Sequence, residues 1–232
     1  MLLLWRLLLC LGAKQMSGAT TDTPFAVANN QLFVLRGVTL GNITTRLDNN
    51  AVAHRGSVVL NSASMQAYNC TFSECHGGDG GAVFVSSGYL AMSNVVMRSN
   101  SAISGGALSA TDSTVLAHAC RFVDNVAEKG GAVLCSATRA TFEECSWESN
   151  QATKTSGGAV LSQYSDLQMS SITGTQNSAL QYGGFLSAQF NAHVQVHDAQ
   201  LTVRQHGGVS VYNGVLVALQ LMRGGCVVLV LV

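Results

Sequence analysis

Apolar residues come in short alternating runs through the middle of the chain, as in Ala82-Val83-Phe84-Val85 and Tyr89-Leu90-Ala91-Met92. Each run is four to six residues long and is ended by Ser, Gly or Asn. A period of two marks a strand, and the residues between the runs are turn formers. No stretch holds a helical period long enough to predict a helix. The pattern therefore predicts an all-β chain of short strands.

The runs recur on a fixed beat. A phrase Gly-Gly-Ala-aliphatic begins at Gly80-Gly81, Gly105-Gly106, Gly130-Gly131 and Gly157-Gly158, and a variant begins at Gly183-Gly184. The second glycines, continued to Gly208 and Gly225, stand 25, 25, 27, 26, 24 and 17 residues apart. A degenerate copy begins at Gly56, again 25 before Gly81. A second phrase, large-apolar-x-x-Asn, ends at Asn50, Asn100, Asn125 and Asn150, with Cys75 on the intervening beat. Two phrases sharing one period predict a solenoid, and short strands at this length predict a parallel β-helix. Each coil is expected to hold about three strands and to rise about 4.8 Å, so about eight coils give a rod about 40 Å long.

In such a rod, equivalent residues of successive coils stack. Leu47, Phe72, Met97, Phe122 and Trp147 are expected to form one inward column, and Cys70, Val95, Cys120 and Cys145 another. The asparagines are placed to form a side-chain amide ladder at a turn, which Cys75 would interrupt. The glycine doublets fit a tight corner, with positive φ or close backbone approach. They do not fit a phosphate-cradling loop, which occurs once and leads into a helix.

The stretches CTFSECHGGDGGAVFV, CRFVDNVAEKGGAVLC and CSWESNQATKTSGGAVLS resemble the repeats of chlamydial polymorphic outer membrane proteins. The resemblance covers residues 47 to 190 and fades where Phe185 follows Gly184 and Val209 follows Gly208. It implies a right-handed, single-stranded parallel β-helix of the pectin-lyase type, with coils of about 25 residues, and a surface or adhesive role. The alternating amphipathic strands of an autotransporter barrel do not follow residue 210.

Composition narrows the partners. Twelve basic and twelve acidic residues cancel, so no long-range field gathers nucleic acid. The apolar run Leu2 to Leu11 is too short to span a bilayer, so no integral membrane span is expected. With Ser17-Gly18-Ala19 behind it, residues 1–19 read as a secretory leader or a truncated start, and 20–232 as the β-helix domain. Two sequons, at Asn42 and Asn69, are candidate glycosylation sites in a secreted chain. The apolar C-terminus from Gly224 reads as a further coil, so a longer parent chain or end-to-end stacking is expected.

The chemistry is sparse. Twelve carboxylates are spread along the chain, with Glu74 and Asp124 in one column and Asp48 and Glu148 in another. The only acidic doublet, Glu143-Glu144, is expected to point to opposite faces of a strand. No catalytic, metal or cofactor residues are assigned. His193 and His197 share a strand face and lack a third ligand, so they read as solvated. Cys120 and Cys145 are neighbours at strand spacing, which allows either a disulfide or a buried thiol ladder. Phe72, Phe122 and Trp147 read as core rather than as a carbohydrate platform. The reading is thus a non-enzymatic extracellular or cell-surface repeat protein, structural or adhesive, with a surface protein or glycan as partner. The alternative is a carbohydrate-active β-helix enzyme, a lyase or hydrolase, with a degenerate site.

Overall fold

The computed structural model describes residues 9–12, 15–21, 25–45, 56–203, 208–212, 215–221 and 229–231. All regular structure among them is β, and every strand pair is parallel at offsets near one coil. One sheet has nine strands and a second, of 18 strands, wraps the rest of the circuit. The fold is a parallel β-helix.

One full coil shows the construction. Its strands are Val83–Ser86, Tyr89–Ser93, Val96–Arg98 and Ser101–Ser104. The next coil repeats them as Leu108–Thr111, Thr114–His118, Arg121–Val123 and Val126–Lys129. These coils thus hold four short strands where three are expected from the sequence, while the coil before them holds three, Val58–Asn61, Ser64–Tyr68 and Thr71–Ser73, with isolated bridges at His76 and Asp79. The extra division comes from single residues in the left-handed region between strands. Ser87, Asn94 and Ser99 have φ of 51°, 54° and 53°, and Asp112, Ala119 and Asp124 repeat them at 48°, 52° and 52°. A left-handed residue bends the chain in one step, so no multi-residue turn is needed. In the long strand Asp166–Ala179 the same bends persist at Ser171 and Gln176.

Side chains pointing inward fill the bore in columns. Leu90, Val115, Ala140, Leu167 and Val194 lie in register, and all are buried. Phe72, Met97, Phe122 and Trp147 form the large column read from the sequence. Trp147 lies parallel to Phe122, with centroids 5.3 Å apart and planes at 6°. Phe142 meets both rings edge-on.

The glycine doublet has two separate tasks. The first glycine supplies the conformation: Gly80, Gly105, Gly130, Gly157 and Gly183 have φ between 58° and 72°. The second supplies the clearance. A Cβ on Gly131 would stand 2.0 Å from the carbonyl oxygen of Gly158, and Gly106 meets Gly131 in the same way at 2.3 Å. Each coil presses a carbonyl onto the α-carbon of the previous one, and only glycine leaves room.

The column breaks at its N-terminal end. The strand Thr39–Thr45 pairs with Thr71–Ser73 so that Leu40, not Leu47, is the partner of Phe72. Ile43 then holds the place under Cys75 that the beat assigns to Asn50. Leu47 and Asn50 lie outside the described residues. The 25-residue beat is lost here because this coil step spans 32 residues, 40 to 72. Residues 9–12 and 15–21, within or beside the expected leader, pair in parallel with Leu32–Arg36 and Thr39–Thr45. At the other end Leu229–Leu231 pairs with Val209–Tyr212.

Candidate functional site

The residues singled out by the repeat are absorbed by architecture. Asn100, Asn125 and Asn150 are buried and joined side chain to side chain. The Asn100 Nδ2 donates to Asn125 Oδ1 at 3.0 Å, and the Asn125 Nδ2 donates to Asn150 Oδ1 at 2.9 Å. Each Oδ1 also accepts the backbone N–H of the preceding asparagine at 3.0 Å. The ladder continues to Asn177, which the apolar-x-x-Asn phrase misses because Gly174 stands where the aromatic should be. At its other end the Cys75 N–H reaches Asn100 Oδ1, but its thiol turns to the Ser73 carbonyl at 3.4 Å and to Ser57, and meets the Leu40 carbonyl only at 3.9 Å.

Among the described residues Cys70, Cys75, Cys120, Cys135 and Cys145 are free thiols, all buried. Cys120 and Cys145 stand together as expected, with the Cys120 N–H 3.4 Å from the Cys145 sulfur, and form no disulfide. Their thiols also contact the carbonyls of His118 and Glu143. The contact between them lowers the Cys120 thiol and raises the Cys145 thiol, because one shared proton serves both sulfurs. Burial alone pushes the Cys135 thiol up to about 12.

The remaining candidates are on the surface. Asn42 and Asn69 are both exposed at left-handed corners, and Asn69 Oδ1 accepts the Asn94 amide at 2.7 Å. His197 is exposed, and His193 turns its Nδ1 to Asp166 Oδ1 at 3.2 Å. No group of three His, Cys, Asp or Glu side chains is arranged for a metal among the described residues. Glu143 and Glu144 are both exposed, contrary to the strand expectation. Glu144 has φ of 53°, which ends the alternation and swings its carboxylate outward to His118, 3.6 Å away.

The structure brings together a site that the sequence reading did not assemble. One corner column runs Ser62, Ser87, Asp112, Ala137, Tyr164 and Phe190, all with φ between 48° and 55°. Small or polar residues suit that conformation, and two aromatics do not. Tyr164 and Phe190 stack at 5.3 Å with planes 15° apart, and Tyr212 meets Phe190 edge-on at 6.5 Å. Yet Tyr164 is 60% exposed, Phe190 37% and Tyr212 46%. The signal was present in the sequence, since 137, 164 and 190 keep the glycine beat.

Grooves flank this ladder. One, of about 450 Å³, is lined by Asp112, Ala137, Arg139, Tyr164 and Asp166 among others. A second, of about 390 Å³, shares Arg139 and Asp166 and continues to His193 and Gln195. Arg139 reaches the second Asp166 oxygen at 3.9 Å. Asp166 is thus held between a guanidinium and an imidazole, while Asp112 has no cation within ion-pair distance among the described residues. On the far side of the ladder, Tyr182, Gln189, Phe190 and Tyr212 line a smaller, uncharged hollow of about 230 Å³.

No protein-family model, curated protein or solved structure matches this chain.

Proposed function

We propose that this protein is a non-enzymatic β-helix repeat protein of the extracellular space or cell surface, and that it binds through the aromatic corner. The repeats' resemblance to polymorphic outer membrane proteins supports the location and the adhesive role. One observation carries the binding: Tyr164 stands in a left-handed conformation, largely exposed, with Phe190 fixing its ring. A bulky residue there costs backbone energy and gains little burial, which is the signature of a residue kept for contact. The test is an array of glycans and matrix proteins probed with the native chain and with Tyr164→Asn. Ligands retained by the native chain and lost by the variant support the reading. An array on which the two behave alike sinks it.

A second reading, a carbohydrate-active enzyme, is favoured by one feature: Asp112 and Asp166 line the same groove. They lie two coils apart, about 10 Å by strand spacing. Both oxygens of Asp166 are already engaged by Arg139 and His193, which favours binding over acid–base work. Release of reducing ends or unsaturated products from polysaccharides, abolished by Asp166→Asn, would establish the enzyme instead.

A further inference from the structure

We infer that the Tyr164 groove takes an oligosaccharide of basic amino sugars, lying along the solenoid axis. This rests on the reading of the corner as a binding surface and names its ligand class. The first argument is the ring. One face of Tyr164 is covered by Phe190, while the groove opens on the side of Ala137, whose methyl leaves the other face bare. An aromatic face carries the negative lobe of the ring quadrupole and attracts C–H edges and cations. Because Phe190 already holds the ring, little side-chain freedom remains to be lost on binding.

The second argument is charge. Arg139 and Asp166 neutralise one another, so Asp112 leaves the groove with a net charge of minus one. That disfavours a polyuronate or sulfated chain and favours an ammonium group. Asp112 belongs to the same corner column as Tyr164, two coils away, with Ala137 between them. A sugar on the Tyr164 face can therefore place its neighbour's amino group at Asp112. The third argument is dimension. The groove crosses four coils, from Ser87 to Tyr164, at about 4.8 Å per coil. That step is close to the length of one pyranose residue, so successive sugars meet successive coils. Thr114 adds a hydroxyl along its floor.

The experiment is calorimetric titration with a β-1,4 glucosamine hexamer at mildly acid pH, its fully N-acetylated counterpart, and a galacturonate hexamer. The glucosamine hexamer should bind tightest and the galacturonate hexamer not at all. Tyr164→Asn and Asp112→Asn should each weaken glucosamine binding at least tenfold, and Tyr164→Phe should keep it within about twofold. Melting temperatures of the variants should not fall below that of the native chain, since asparagine suits both left-handed positions. Failure of the glucosamine hexamer to bind overturns the inference, as does equal or tighter binding of galacturonate. Unchanged affinity in Asp112→Asn does the same. If the array yields another ligand that Tyr164→Asn loses, the corner stands and the amino-sugar assignment falls. If Tyr164→Asn loses nothing on the array, both fall.

Discussion

Phe185 fills the space that Gly174 leaves empty. A Cβ built on Gly174 would lie 2.6 Å from Phe185 Cδ2 and 2.7 Å from Leu201 Cδ2. In the earlier coils the positions are reversed in size: Phe122 or Trp147 stands in the first column and Ala132 or Ala159 in the second. The apparent decay of the repeat at Gly184-Phe185 is therefore a compensated exchange. Phe185 also meets Trp147 edge-on, with centroids 5.6 Å apart.

This exchange predicts a coupled pair. Phe185→Ala should cost about 3–5 kcal/mol, as for other fully buried phenylalanines. Gly174→Phe alone should be at least as damaging, because the aromatic site is already occupied. The double variant should recover much of the loss. Urea midpoints of the four proteins check this, and simple additivity would show that the two sites are not exchanging volume.

The asparagine ladder predicts opposite effects at two of its steps. Asn125→Ala orphans the buried Asn100 backbone N–H and leaves the Asn100 Nδ2 only its bond to the Phe72 carbonyl, and should cost about 3 kcal/mol. Cys75→Asn should do the reverse. Its Nδ2 would reach Asn100 Oδ1 and the Leu40 carbonyl, which the thiol now meets only at 3.9 Å. A gain of about 1 kcal/mol is expected, read as a raised melting temperature.

Burial of the Cys135 thiol predicts an alkaline limit to stability. Its pKa rises from 9.0 to about 12 in the fold, so the folded chain holds this proton more tightly than the unfolded one. Its contribution is complete below about pH 9 and is lost as pH climbs towards 12, at about 1.4 kcal/mol per pH unit. The urea midpoint should therefore fall less steeply in Cys135→Ala than in the native chain. Parallel pH profiles would refute the assignment.

Glycine and alanine should exchange with opposite signs at two kinds of position. Gly131→Ala drives a Cβ to 2.0 Å from a backbone carbonyl and should cost about 3 kcal/mol. Ala119→Gly relieves a left-handed alanine, φ 52°, and should gain about 0.5–1 kcal/mol. Thermal melts of the two variants displaced in opposite directions confirm the division of labour.

The repeat by itself determined the coil, the glycine corners and the asparagine ladder. The reason is geometric: in a parallel solenoid, residue i touches its equivalent one coil away, so sequence period and contact pattern coincide. That is why Asn100, Asn125 and Asn150 could be joined without a structure. Contacts made within a coil carry no such period. The fit of Phe185 into Gly174 crosses the bore between two columns, and only the fold brings them together. The place of Leu40 beside Phe72 was hidden because that coil step departs from the beat. Left-handed corners were hidden too, since many residue types adopt them once flanking strands hold the chain in register. The beat thus carried the register of Tyr164 and Phe190, while their exposure and the groove that sets Asp112 and Arg139 beside them were decided by tertiary structure.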